Sequence, residues 1–354
     1  MSEHHSVIII GAGLSGLYSA WQLQQKQQDV ILLEARNRAG GRIFSADYKN
    51  SRFDMGPAWV WPHLQPRLNQ LMKNLDLDTF KQHTSGAMLY EKNPDEIEHY
   101  TGQSSHSESY RIAGASQQLI ETLQNKLPES GIHLNTLVQS INKDDMSIYT
   151  IRDGKKFQYT ANKIILALPP RLIQQNIDFT PAIPEEISNI WKSIPTWMSG
   201  HCKIMFIYEK PFWRDNNLSG EVFSHYGPLS EIYDGSPSSE EYYALTAFVG
   251  LNAHQRKQVD KERLIESCMK QLQRLFGDES QNTCDIQLKD WSLDENTTAE
   301  IDLTSPMQHP QYPEDAPRHF WGGKVILTGT EFAREHGGYL EGAIESADEA
   351  ISNY

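Results

Sequence analysis

Cysteine is scarce in this 354-residue chain: Cys202, Cys268 and Cys284 form an odd set with no C-x-x-C pair. That excludes a disulfide framework and suits a reducing compartment, so a cytoplasmic location is expected. Positive charge is also short, with 32 Lys and Arg against 46 Asp and Glu and a net charge of −14. Such a balance disfavours nucleic acid and anionic membranes as partners. No apolar run approaches the roughly 18 residues of a membrane span. The first apolar strand starts about six residues in, which leaves no room for a cleaved leader. Histidine, cysteine and carboxylates nowhere fall at ligand spacing, and His4-His5 reads as a loose tail, so no metal is expected. There is no internal repeat.

What is present begins at Val7. The stretch Val7–Arg42 reads VIIIGAGLSGLYSAWQLQQKQQDVILLEARNRAGGR. Val7–Ile10 is a β-branched apolar run that suits a strand buried on both faces. Gly11, Gly13 and Gly16 follow as G-x-G-x-x-G, then a helix over Leu17–Gln25, then a second strand, Val30–Leu33, ending on Glu34. This strand–turn–helix–strand unit gives the motif the context that dinucleotide binding requires. Gly11 makes the tight turn, Gly13 lets a pyrophosphate approach, and Gly16 lets helix and strand pack closely. The helix N-terminus offers free N–H groups to the phosphates, and Glu34 offers acceptors to a ribose diol. The run from Arg36 through Gly40-Gly41-Arg42 then resembles the GG-doublet flavoproteins, in which a second glycine turn and an arginine approach the phosphates of FAD.

Further along, Asp54-Met55-Gly56-Pro57-Ala58-Trp59 marks a turn, and Leu68, Leu71, Met72, Leu75 and Leu77 form a helical stripe. Short antiparallel strands are expected at Ala87–Glu91 and Glu98–Thr101, and a helix at Gln117–Leu127. The spacing predicts strands at Leu134–Ile141, Ser147–Arg152 and Lys155–Thr160, with an Asp153-Gly154 hairpin turn, and a buried strand at Lys163–Leu168. A long strand within Trp191–Phe212 follows, then strands at Glu221–Tyr233 and Tyr242–Val249. A helix is expected at Asp260–Phe276 and a strand at Ile286–Trp291. A proline-rich loop runs over Pro306–Pro317. Val325–Thr328 reads as a core strand and Gly342–Ile351 as the last helix.

Taken together, these motifs resemble the flavin-containing amine oxidases, of the monoamine-oxidase-like group, over nearly the whole chain. The resemblance rests on GAGLSGL with Glu34 and RAGGRI, on DMGPAW, on LNTLVQSI, on IILALPP, on GHCKIMFIYEKPFWR and on LTGTEFAREHGGYLEGAIESADEA. It implies an α/β fold: a Rossmann-like GG-doublet FAD domain carrying an inserted, mixed or antiparallel substrate-domain sheet. The expected division is 1–75, 107–190 and 306–354 for FAD, and 76–106 and 191–305 for substrate. It assigns FAD contacts to Gly11, Gly13, Ser15, Gly16, Glu34, Ala35, Arg36, Gly41 and Arg42, and to Gly56, Pro57, Ala58 and Trp59. Val138 would hold the adenine; Trp291, Glu331, Gly338, Tyr339 and Leu340 complete the set.

Two residues carry the expected chemistry. Lys203 shares a strand face with Met205 and Ile207, where a lysine is costly unless paired or functional. In the family the matching lysine holds a water near flavin N5 and promotes reaction with oxygen. Tyr339 matches the aromatic beside the flavin face, one of two rings that commonly cage the amine. The second ring should stand about ten residues after Trp291, yet Ala299-Glu300-Ile301-Asp302 contains no aromatic. Either the cage is half built, or Trp59, Trp61 or Trp321 supplies it. No cysteine stands where some members attach flavin, so FAD should be non-covalent. About 50 residues separate Trp61 from Tyr110, where larger relatives carry a helical insertion, so the substrate chamber should be shallower. The implied reaction is oxidation of a small-molecule amine, with dioxygen reduced to hydrogen peroxide. A dehydrogenase or desaturase with another acceptor, a nicotinamide enzyme, and a catalytically idle FAD-binding module remain as alternatives.

Overall fold

The computed structural model describes residues 3–106, 108–304, 308–352 and 354. The chain builds two large sheets. The first has nine strands and a parallel centre: Lys155–Leu166 lies beside Glu3–Ile10, which lies beside Val30–Leu33, which lies beside Ile132–His133. Ile8, Ile9, Ile164, Ile165 and Leu166 are fully buried there, as helices and loops cover both faces.

The sequence predicts two strands over 155–168; the structure has one. From Tyr159 to Leu166 it pairs with Glu3–Ile10 along one edge. Along its other edge it pairs first antiparallel with Ser147–Arg152 and then parallel with Val325–Leu327. Its length also corrects the reading of His4-His5 as a loose tail. The ladder continues past Val7, so His4 and His5 lie within the first strand, opposite Thr160 and Ala161. His4 Nδ1 is 3.0 Å from Thr160 Oγ1 and His5 Nδ1 is 3.0 Å from Asp29 Oδ1.

The second sheet is mixed, with seven strands. Its order is Asp285–Asp290, Cys202–Tyr208, Tyr243–Val249, Leu229–Asp234, Leu218–Ser224, Ala87–Asn93, Glu96–Tyr100. The helix Lys261–Phe276 lays Leu264, Cys268, Leu272 and Leu275 against the face carrying Ile204 and Phe206. The opposite face, with Met205 and Ile207, packs on Phe53 and Met55, which brings it against the glycine segment.

Three further expectations are corrected. Trp191 belongs to a helix, Glu185–Ser193, because Ile187, Ile190, Trp191 and Ile194 fall at helical spacing; the strand begins only at Cys202. Glu221–Tyr233 is a hairpin of Leu218–Ser224 and Leu229–Asp234, broken at Gly227-Pro228. The last helix is Leu340–Ile351, with Tyr339 as its N-cap. Pro306, the expected start of the proline-rich loop, lies outside the described residues.

Trp191 has no exposed surface and meets Phe320 edge-on at 5.9 Å. Trp191→Ala should therefore cost about 3–5 kcal/mol of stability. A urea midpoint that barely moves would show the helix to be outside the core.

Candidate active site

The phosphate cradle is built where the first strand turns into the first helix. That helix runs Leu14–Gln25, starting directly at Gly13 and not at Leu17 as the sequence suggests, and no side chain caps it. Its first N–H groups therefore keep their partial positive charge available. A Cβ on Gly16 would lie 2.0 Å from the carbonyl oxygen of Gly11, so only glycine permits this packing, whereas Gly13 faces open space. The second glycine turn docks on the first: Gly40 N–H donates to Ala12 O at 2.8 Å, and Gly13 bridges Gly40.

Glu34, 4% exposed, fixes the acidic end. Its Oε2 accepts from Ala12 N–H at 2.8 Å and its Oε1 from Arg36 N–H at 2.9 Å. Arg36 in turn donates to Asp294 at 2.6 Å and Thr297 at 2.8 Å, partners the sequence gave no sign of. Thr136 N–H donates to Glu34 O, so the strand Thr136–Asn142, with buried Val138, starts beside this corner. Ala35 lies between these bonds, and Ser15 Oγ is 2.7 Å from Thr328 Oγ1.

Across the turn, Arg42 Nη1 lies 2.7 Å from Oε1 of Glu331, which is fully buried. Neither Glu331 oxygen takes a well-directed hydrogen bond. A carboxylate paired only with Arg42 keeps acceptor sites in reserve, which makes it a place prepared for ligand hydroxyls. An uncapped helix end, an open face at Gly13 and the buried Arg42–Glu331 pair together fit the phosphates and hydroxyls of a dinucleotide such as FAD. Gly41 completes the second turn.

The second glycine segment meets Lys203. Gly56 O accepts from Lys203 Nζ at 3.0 Å, and Trp291 Nε1 donates to Met55 O at 3.0 Å. Pro57, Ala58 and Trp59 follow directly, and Lys203 Nζ stands 5.7 Å from the Trp59 ring and 5.8 Å from that of Phe248. Lys203 is 2% exposed. Burial pushes its ammonium down to about 8, Arg111 adds to that, and buried Asp54 opposes it. The expected face-sharing with Met205 and Ile207 holds, and strand pairing adds more. Lys203 is opposite Phe248, Phe248 opposite Glu231, and Glu231 opposite Phe223. These four project from one face, and Tyr233, two residues along from Glu231, donates to its Oε2 at 2.7 Å.

Tyr339 is 37% exposed at the start of the helix Leu340–Ile351. Trp197 meets it edge-on at 5.0 Å and His309 stacks on it at 5.1 Å. Of the three tryptophans offered by the sequence, Trp59 meets Tyr233 edge-on at 5.1 Å and lies 5.7 Å from Lys203 Nζ, while Trp61 and Trp321 make their ring contacts elsewhere. Trp59 and Trp61 pack on His106, and Trp321 packs on Phe179 and Phe320. Trp197, His309, Glu231, Phe248 and Asp294 escaped the sequence reading, because each is placed by register or by a loop crossing. No side chain caps the last helix, and Glu341 in its first turn reaches away to accept from Arg67 N–H at 3.0 Å and Leu68 N–H at 2.8 Å. The helix end beside Gly338 thus stays electropositive. No group of metal-binding side chains occurs among the described residues.

Glu34→Ala should weaken cofactor retention by about 1.5–3 kcal/mol, the worth of a hydrogen bond to a charged acceptor. Equilibrium dialysis against free FAD would measure it. An unchanged affinity would leave Glu34 with only its backbone partners.

Comparison with known proteins agrees with this geometry. The family description "Flavin containing amine oxidoreductase" matches residues 84–350, and "NAD(P)-binding Rossmann-like domain" matches residues 9–75. The chain is 23% identical to a probable flavin-containing monoamine oxidase A of Dictyostelium discoideum, over 98% of this chain and 96% of that protein. It is 22% identical to putrescine oxidase of Kocuria rosea, over 73% of this chain and 77% of that protein. Among solved structures, wild-type putrescine oxidase bound to putrescine superposes with a TM-score of 0.82 at 19% identity, covering 100% of this chain and 99% of that one. Cyclohexylamine oxidase from Brevibacterium oxydans gives 0.81 at 16% identity, covering 98% of each. With the family description spanning well over half of its length, this chain belongs to the flavin-containing amine oxidoreductases.

Proposed function

We propose that the chain is an FAD-dependent amine oxidase that converts an amine carbon–nitrogen bond to an imine and passes the electrons to dioxygen, giving hydrogen peroxide. The observation that carries this is the buried Lys203, held by Gly56 O within the glycine segment that adjoins the cofactor cradle. FAD, bound without a covalent link, supplies the electron sink for removal of hydride from the carbon next to nitrogen. The phosphates and ribose fall to the Gly13 turn, Glu34, Arg42 and Glu331. The uncapped start of Leu340–Ile351 offers partial positive charge to an electron-rich ring edge. We assign 1–75, 107–190 and 306–354 to cofactor binding and 76–106 and 191–305 to substrate binding, a division that sheet membership supports. Free thiols at Cys202, Cys268 and Cys284 favour a cytoplasmic setting, and no helix among the described residues is long and apolar enough to cross a membrane.

The row Lys203, Phe248, Glu231 also suggests a substrate class. Neighbouring strands are about 4.8 Å apart, so Glu231 lies about 10 Å from Lys203 across an aromatic wall. An amine with a second cationic group a few methylenes away would place that charge on Glu231. The putrescine-bound neighbour of the same fold is in keeping with this. An anaerobic panel of monoamines and diamines, scored by flavin bleaching and then by peroxide on readmitting air, tests the whole reading. Bleaching without peroxide would favour the dehydrogenase alternative, and no bleaching would favour the idle module.

Lys203→Met keeps volume and stem, so fold and FAD should remain. Reoxidation of the pre-reduced variant by dioxygen should slow by one to three orders of magnitude, about 1.4–4 kcal/mol of barrier. A positive charge near the reacting ring favours charge developing on oxygen. Lys203 is charged below about 8 and neutral above it. Wild-type reoxidation should therefore be fastest below that pH and fall as pH rises through it, while the variant shows no such step. Stopped-flow rates that match wild type at every pH would remove Lys203 from the mechanism.

Glu231→Gln should raise KM for a diamine by about 10–100-fold, the worth of a charged hydrogen bond. A monoamine of equal length should change far less. Equal effects on both would remove the second charge from the substrate.

A further inference from the structure

We infer that Trp197 forms, with Tyr339, the aromatic wall that orients the amine, standing in for the ring that residues 299–302 lack. This rests on the amine-oxidase reading of the site. Trp197 meets Tyr339 edge-on at 5.0 Å with an interplanar angle of 65°. The fit is close on the glycine side too. Gly338 adopts φ +85°, and a Cβ there would fall 2.7 Å from the Trp197 ring, so the residue before Tyr339 has given up its side chain to this indole. The Trp197 Nε1–H is shut off from solvent and has no hydrogen-bond partner, although the residue as a whole is only half-buried.

The turn that carries Trp197 is fixed by the very segment that lacks the aromatic. Asp302, 1% exposed, accepts from Thr196 N–H at 3.1 Å and from Ala299 N–H at 3.1 Å, and pairs with Arg171. Thr298 Oγ1 donates to Ser199 O at 3.1 Å, and Ser199 Oγ donates to Thr196 O at 2.7 Å. Met198 takes φ +64°, and His201 N–H closes the turn on Met198 O at 3.1 Å. Residues 298–302 therefore contribute to the pocket indirectly: they hold Trp197 where a ring of their own would otherwise be needed. The same turn leads straight into the strand of Lys203, so ring and ammonium are set by one short stretch of backbone. His309 also touches Tyr339, but its Nε2 is engaged with Gly337 O at 2.8 Å.

The test uses the FAD-loaded enzyme with Trp197→Leu and Trp197→Phe. Bound FAD per chain and the thermal midpoint are checked first. tert-Butylamine, which has no hydrogen on the carbon next to nitrogen, is then titrated anaerobically and read by perturbation of the flavin spectrum. Its Kd reports the wall without turnover. Trp197→Leu should weaken it about tenfold or more and slow the limiting rate of flavin reduction by a similar factor. Trp197→Phe should keep both within about fivefold, since an aromatic face remains. A leucine variant that binds and reduces like wild type overturns the assignment, as does a phenylalanine variant as impaired as leucine. If the leucine variant fails to hold FAD, Trp197→Tyr joins Trp197→Phe, and a loss beyond tenfold in both overturns it. A wild-type flavin that no amine bleaches overturns the reading of the site itself, which the variants alone cannot do.

Discussion

The carboxylate of Asp54 is the joint on which the two sheets meet. It is 1% exposed and accepts from Ser45 Oγ at 3.0 Å, Ser116 N–H at 2.8 Å and Ser116 Oγ at 2.6 Å, with Arg111 at 3.4 Å. Those partners come from the hairpin after the second glycine turn, from the start of the helix Gln117–Asn125, and from the strand Tyr110–Ile112. Arg111 continues to Ser236 O at 2.8 Å, in the second sheet's territory. Asp54 also opposes the desolvation of Lys203. A buried charge holds only when several groups satisfy it at once. The satisfaction of Asp54 therefore fixes the glycine segment, the helix and the lysine relative to each other. Removing it would leave Arg111 and Lys203 as like charges in a dry space.

The acidic excess of the chain has a second use beyond solubility. Several carboxylates are buried and spent on backbone N–H groups that loops or a helix start leave without partners. Glu345 accepts from Arg334, Glu335 and His336 N–H at 2.7, 3.2 and 3.2 Å, which folds the Gly337-Gly338 approach into shape. Glu341 and Glu34 do the same at Arg67-Leu68 and at Ala12. Composition alone cannot distinguish these from solvated charges, since both read as Glu in a polar loop.

The phosphate turn and the final helix were legible because they are local: glycine spacing, β-branched runs and an acidic terminus all fall within a few tens of residues. Glu34 and Arg42 could be placed for that reason. Lys203 was legible as an anomaly, a charge on an apolar face. Trp197 was not, because its role depends on a turn held by Asp302, more than a hundred residues away. Trp191 was misread because a run rich in isoleucine and tryptophan suits strand and helix alike, and only the spacing to Ile187 and Ile194 separates them. The hairpin at Gly227-Pro228 was missed although glycine followed by proline is a turn signal. Glu231 needed the register of three strands, which no single segment encodes.

The nucleotide fingerprint is contiguous in sequence, but the sheet beneath it is not. Ile8 lies opposite Ile31 on one side and Ile164 on the other, and Ile164 lies opposite Val325, so on that second side the strand feeding the Gly11 turn is held by neighbours that arrive about 150 residues later at each step. Loops of that size close slowly, and their contacts form late. A fragment ending soon after Arg42 would carry every letter of the motif but only the Val30–Leu33 side of its support. Capture of the cofactor is thus coupled to completion of the whole sheet, and through mass action an occupied cradle stabilises strands far from any phosphate. Occupancy by the nucleotide is a property of the entire molecule, and resistance of remote segments to unfolding reports it as faithfully as colour does.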